Sequence, residues 1–254
     1  MRLHCATFAT QNLKYLQMFS QALLLFFAAA LGGSSLLIIR NPRPAFLKLF
    51  LIFSGGYLFS ITFLHILPDL FALHTDARLA GLYVLIGFFL QLLLEFFSKG
   101  VEHGHGYEAQ LEEHQRGVSP LTLMAAFLLH AFLDGVILSS PSMAHGHHHG
   151  HGANGLLIGI LLHKIPESFV LTSILSRITS RKRTMIVCLL IFALASPMGL
   201  LGVGYFDQQQ LLSGHGSLAL WGIVSGSFVH IASTILAEAS PCHRPNVRNF
   251  IASL

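Results

Sequence analysis

Apolar residues in this chain come in long blocks, separated by short connectors rich in glycine, proline and polar side chains. No Asp, Glu, Lys or Arg occurs between Lys14 and Arg40, Lys48 and Asp69, Arg183 and Asp207, or Asp207 and Glu238. A helix needs roughly 20 apolar residues to cross about 30 Å of hydrocarbon, and these blocks reach that length. The pattern predicts seven spans, at about 19–39, 45–67, 79–98, 119–140, 153–175, 184–206 and 216–239. Each must be helical. Lipid offers no partner to an unpaired backbone group, and the alternation a closed barrel would need is absent.

Composition agrees with that pattern. At 53% hydrophobic and 10% charged over 254 residues, the chain has far less charge than the roughly 25% of soluble domains, and it is too apolar to be disordered. The expectation is an all-α, polytopic transmembrane bundle forming one domain over residues 1–254. The first block is longer than the apolar core of a signal peptide and is read as a retained span. Phe250 to Leu254 resembles the opening turn of an eighth span that stops short. Cys5, Cys188 and Cys242 are far apart and form no CxxC, so neither a disulfide framework nor a thiolate zinc site is expected.

The net charge of +4 and a pI near 9.2 are explained by orientation, not by nucleic acid. If the first connector is cytoplasmic, the inner segments hold Arg40, Arg43, Lys48, Lys99, Arg116, Arg177, Arg181, Lys182, Arg183, Arg244 and Arg248. The outer ones hold only Arg2, Lys14 and Arg78. The positive-inside rule therefore puts the amino terminus outside.

An ionisable group inside a span costs on the order of 2.5–3.5 kcal/mol by insertion scales, so each one needs a reason. The fourth span carries His130-Ala-Phe-Leu-Asp134, and the fifth His163-Lys-Ile-Pro-Glu167. In each, imidazole and carboxylate lie at i and i+4, on one helix face near mid-span. Facing each other, the two helices would offer two histidines and two carboxylates to one point, a set suited to tetrahedral zinc and to iron, manganese or cadmium. Pro166 removes a backbone donor and displaces the Leu162 carbonyl, and is expected to break the helix beside those ligands. Lys164 would repel a second cation nearby; it either takes the place of one or balances Glu167.

Further polar residues lie along the same axis. His65 and Asp69 end the second span, Glu95 ends the third, His230 lies at middle depth in the seventh, and Glu238 ends it. Ordered by depth they read as an outer entrance and an inner exit for a cation. His145, His147, His148, His149 and His151 form a histidine-rich connector able to capture metal weakly. The segment from Glu102 to His114 is a more acidic version.

These motifs resemble the ZIP (Zrt/Irt-like) family of metal-ion transporters. The resemblance rests on His65-Ile-Leu-Pro-Asp69, His130-Ala-Phe-Leu-Asp-Gly135 and His163-Lys-Ile-Pro-Glu167. Ser196-Pro-Met-Gly199 and Glu238-Ala-Ser-Pro241 support it. It implies uptake of zinc, and often iron or manganese, into the cytoplasm, with metal held by His130, Asp134, His163 and Glu167. The chain departs from the family pattern in showing seven spans where eight are usual. It has Ala131 and Lys164 where many members have a polar residue and a carboxylate, so one metal is expected instead of two. Its densest histidine run follows the fourth span instead of preceding it.

The expected function is import of a divalent ion, zinc first and Fe2+, Mn2+ or Cd2+ as alternatives, by alternating access and with no catalytic cofactor. The expected partners are the ion and the lipid bilayer of a plasma or inner membrane, with a homodimer as a further possibility. No GxxxxGK[ST] loop is present, so an ion gradient must drive transport. The rival reading is an intramembrane zinc hydrolase using the same ligands to activate water. The lack of an HExxH helix and the spread of ligands across the span depth weigh against it. A metal exporter with HxxxD motifs would usually carry a cytoplasmic domain, for which this chain has no room.

Overall fold

The computed structural model describes residues 2–38, 44–73, 76–98, 120–139, 152–208 and 215–238. Regular structure among them is entirely helical. The helices are α1 (Arg2–Ile38), α2 (Pro44–Ile61), α3 (Leu67–Leu73), α4 (Ala77–Ser98), α5 (Pro120–Leu138), α6 (Gly152–Ile178), α7 (Lys182–Gln208) and α8 (His215–Glu238). A π-turn, Thr62–Ile66, fuses α2 and α3 into one rod. Seven of these units are long and apolar enough to cross a membrane, from Lys14–Leu36 through His215–Ala237. Their bounds follow the predicted spans to within a few residues, except that α1 extends amino-terminally to Arg2 and the second span runs on to Ala72.

Pro68 explains the π-turn. A proline donates no hydrogen bond and crowds the preceding turn; here the ladder widens just before it, with the Leu67 N–H on the Thr62 carbonyl. The extra residue in that turn resets the face that α3 presents. Pro166 behaves otherwise, which corrects the sequence reading. The α6 helix runs unbroken from Gly152 to Ile178 with Pro166 inside it. The missing donor is absorbed as one lost rung, as membrane helices commonly allow.

The helices lock in pairs through glycine, because apolar lipid gives helices little hydrophobic reason to associate and close backbone packing must supply it. A Cβ on Gly87 of α4 would strike the Ile223 carbonyl of α8, and one on Gly226 of α8 the Val84 carbonyl of α4. The pair α5–α7 is closed the same way, by Gly135 against the Ser196 carbonyl and Gly199 against the Phe132 carbonyl. The Ser196 hydroxyl adds a hydrogen bond to the Ala131 carbonyl at 2.7 Å. In α1, Gly32 meets Ile165 and Ser168 of α6, and Gly33 meets Leu189 of α7. Residue numbers rise together from Tyr83–Gly222 to Glu95–His230 along α4–α8, from Phe127–Phe192 to Gly135–Leu200 along α5–α7, and from Gly32–Ser168 to Gly33–Thr172 along α1–α6, so each pair is parallel. Gly87→Ala should cost about 1–3 kcal/mol, the usual price of overpacking, and lower the melting temperature in detergent. Gly81→Ala, with nothing within 4 Å of the added carbon, should leave it unchanged.

Two apolar clusters fill the bundle. One joins Met18, Leu58, Ile66, Ala80, Val136, Ile160, Leu200 and Trp221. Those residues come from the first half of α1, α4, α6 and α8, from the end of α2 and the π-turn, and from the second half of α5 and α7. The other joins Ala29, Phe127, Leu171, Ile174, Met185 and Phe192 toward the opposite end. Between the clusters lies a buried polar layer. Outward-facing Leu, Phe and Met side chains, such as Leu31, Phe89, Phe96, Leu190 and Met198, form the apolar exterior that lipid requires.

Candidate metal centre

The polar layer is built by α5 and α6. His130, Asp134, His163, Lys164 and Glu167 are all 2% exposed or less. The i,i+4 spacing in each helix puts its imidazole and carboxylate one turn apart on one face, and packing turns both faces toward the bundle interior. His130, His163 and Glu167 each bring one ligand atom to a common point, all within 4.8 Å of one another. The His130 Nε2 to Glu167 Oε1 separation is 3.5 Å, close to the roughly 3.4 Å between neighbouring ligands of tetrahedral zinc. The two imidazole rings meet edge to face, with centroids 5.7 Å apart. Neither nitrogen of His130 nor Oε1 of Glu167 has a hydrogen-bond partner among the described residues. Buried polar atoms are ordinarily paired, so such a group calls for an explanation, and a coordinated cation supplies one.

Asp134 stands differently from the other three expected ligands. Its Oδ2 lies 4.0 Å from His130 Nε2, yet the Lys164 ammonium holds it at 2.5 Å. Lys164 also donates to Glu167 Oε2 at 2.7 Å, leaving Oε1 for the histidines. Its own neighbour below is the Phe192 ring, 4.9 Å from the ammonium nitrogen. Lys164 thus bridges both carboxylates, a stronger role than the balance of Glu167 alone that the sequence allowed. A fixed positive charge beside the cluster would repel a second cation there.

The residues along the axis are placed as follows. His65 lies in the π-turn and is exposed, with Asp69 half-buried one turn on. Glu95 and His230 form a pair, Oε2 to Nε2 at 2.5 Å, joining α4 to α8. The Phe88 and His230 rings meet at right angles with centroids 4.8 Å apart, and Thr234 Oγ1 is 3.5 Å from the imidazole Nε2. That pairing was not legible from sequence, because the two residues lie in spans far apart in the chain. Glu238 ends α8, but its side chain is outside the described residues. So are His145, His147, His148, His149 and His151 and the 102–114 segment. Ser196 was read only as part of a motif; its hydroxyl braces the backbone next to His130.

A family model described as ZIP zinc transporter matches residues 16–119 and 98–254 of the chain. Those two stretches take in every span and both ligand-bearing helices. Members of that family carry divalent metal ions across membranes, and a multi-pass helical protein with a buried histidine and carboxylate cluster between its fourth and fifth spans is consistent with that work. The chain belongs to the ZIP zinc transporter family.

Proposed function

We propose that this protein imports a divalent cation, zinc foremost, through one site made by His130, His163 and Glu167, with Asp134 held in reserve by Lys164. The observation that carries the reading is the convergence of three buried ligand atoms within 4.8 Å between two apolar clusters. Two imidazoles and a carboxylate suit zinc, and Fe2+, Mn2+ or Cd2+ compete for the same set. Charge supports a single ion. With neutral histidines, Asp134, Glu167 and Lys164 sum to one negative charge, and one divalent ion makes it one positive.

The packing supports alternating access. Helices α5 and α7 are interlocked through backbone, as are α1 and α6, and together they carry the site. Helices α4 and α8 interlock with each other and are joined by the Glu95–His230 pair. The α2–α3 rod lies between these groups. An ion held by α5 and α6 would move with the first group past the second, exchanging one apolar cluster for the other as the closed side. The basic residues orient the amino terminus outside, and import into the cytoplasm follows the direction that the family resemblance implies. His65 and Asp69 then lie at the outer mouth and Glu238 at the inner one.

Purified chain in liposomes should take up radioactive zinc, with unlabelled Fe2+, Mn2+ and Cd2+ ranked by competition. Zinc that instead stays bound through washing with a chelator, without crossing, would overturn the transport reading and favour a resident catalytic metal.

A further inference from the structure

The ammonium of Lys164 is held on three sides. It has three protons to donate. Asp134 Oδ2 accepts at 2.5 Å and Glu167 Oε2 at 2.7 Å, and the Phe192 ring lies 4.9 Å from the nitrogen. The side chain is fully buried, so bulk water does not compete for it. The Glu167 contact lies within α6, at i and i+3, and holds however the helices are rotated. The Asp134 contact crosses from α6 to α5 and is set by their packing.

That crossing contact decides how many ligands reach the ion. Asp134 shares a helix face with His130, and its Oδ2 lies 4.0 Å from His130 Nε2. Neighbouring ligands of tetrahedral zinc stand roughly 3.4 Å apart, so a small turn of the carboxylate would complete the shell. His130, His163 and Glu167 with Asp134 would then make four protein ligands. Zinc sites closed by four protein ligands are structural, whereas sites whose ion must take another partner keep three ligands and one open position. Charge points the same way. With neutral histidines, the three ligands, Asp134, Lys164 and one divalent ion leave one positive charge in the buried layer. Without the ammonium the same groups sum to zero. Buried net charge is costly, so the ammonium makes the loaded state less stable than it would otherwise be.

Resting on the transport reading above, we propose that Lys164 keeps the site open for release. By holding Asp134 it denies the ion a fourth protein ligand, and the ion stays exchangeable. Lys164 is a positioning residue that acts through the two carboxylates and touches no ion.

The test compares four forms of the full chain: the parent, Lys164→Met, Asp134→Asn and the double variant. Each is purified with zinc present, loaded with radioactive zinc and then washed with a chelator to time its release. Lys164→Met should release zinc at least about tenfold more slowly than the parent, the lower end of what changes around metal ligands typically move. In liposomes its maximal uptake rate should fall by a similar factor while its KM also falls. Asp134→Asn should speed release at least tenfold more in the Lys164→Met background than in the parent, because only there does Asp134 join the shell. A charge effect alone would be equal in both backgrounds. Equal effects, or release as fast in Lys164→Met as in the parent, overturn the proposal. A further arm does not depend on the stability of Lys164→Met by itself. With Asp134 unable to close the shell the lysine is dispensable, so the double variant should take up zinc at no less than half the parent rate. A double variant that binds zinc and takes up none overturns the proposal. A parent that keeps its zinc through the chelator wash fails the transport reading and the role in release together. A parent that releases and transports zinc, with release unmoved by Lys164→Met, fails only the role of Lys164.

Discussion

Zinc uptake into liposomes should fall to the protein-free background when Glu167 or His163 is replaced by alanine, while the protein still inserts and remains helical. Each residue offers one of three converging ligand atoms, and among the described residues no fourth ligand joins them, because Lys164 holds Asp134. Losing even an outer partner of a metal ligand typically costs 10–100-fold in affinity, so loss of a ligand itself should exceed about 100-fold. Glu167→Ala also removes one partner of Lys164, whose ammonium keeps Asp134 and stays compensated. Fold should therefore survive better than function. Asp134→Asn is the discriminating comparison. If the three-ligand cluster binds the ion, Asp134→Asn keeps measurable uptake where Glu167→Ala keeps none. Equal loss in both would place Asp134 in the coordination shell and Lys164 elsewhere when metal is bound.

Lys164→Met is expected to be the most destabilising single change in the polar layer in the absence of metal, and zinc should reverse it. Methionine fills a similar volume but leaves Asp134 and Glu167 buried without their shared counter-ion. Breaking a buried ion pair by removing one partner costs about 3–5 kcal/mol, because a lone buried charge has neither water nor a partner. The local charge falls from one negative to two, so a single divalent ion now neutralises it. Melting in detergent with a chelator should show a large loss relative to the parent, and saturating zinc should recover most of it. A Lys164→Met protein that melts like the parent with or without zinc would show that the ammonium does not carry the balance assigned to it.

Much of this protein is written in one dimension. Charge-free blocks of membrane-spanning length require helices, since lipid leaves backbone groups no other partner. The spacing of His130 with Asp134, and of His163 with Glu167, places each pair on one face whatever the surroundings. The rarity of charge in such blocks marks those residues for function, and the basic residues at the connectors set an orientation. All of this follows from local geometry and from the solvent, which act on every span separately.

What depends on contact between distant spans could be read only from the fold. Four candidate ligands looked equivalent in sequence; the packed site turns His130, His163 and Glu167 together and gives Asp134 to Lys164. A side chain as long as lysine reaches several partners, and which it meets depends on how α5 and α6 are rotated. Glu95 and His230 looked like separate stations and instead face each other across α4 and α8. Pro166 looked like a break, yet α6 continues through it, packed against α1 and α2. The glycine contacts that set these rotations involve bare backbone, which has no signature in hydropathy. Local sequence thus determined the spans and the ligand types, because helix period and lipid exclusion act within one segment. Tertiary packing decided which ligands converge and which helices interlock, because those depend on side chains and backbone brought together from different helices.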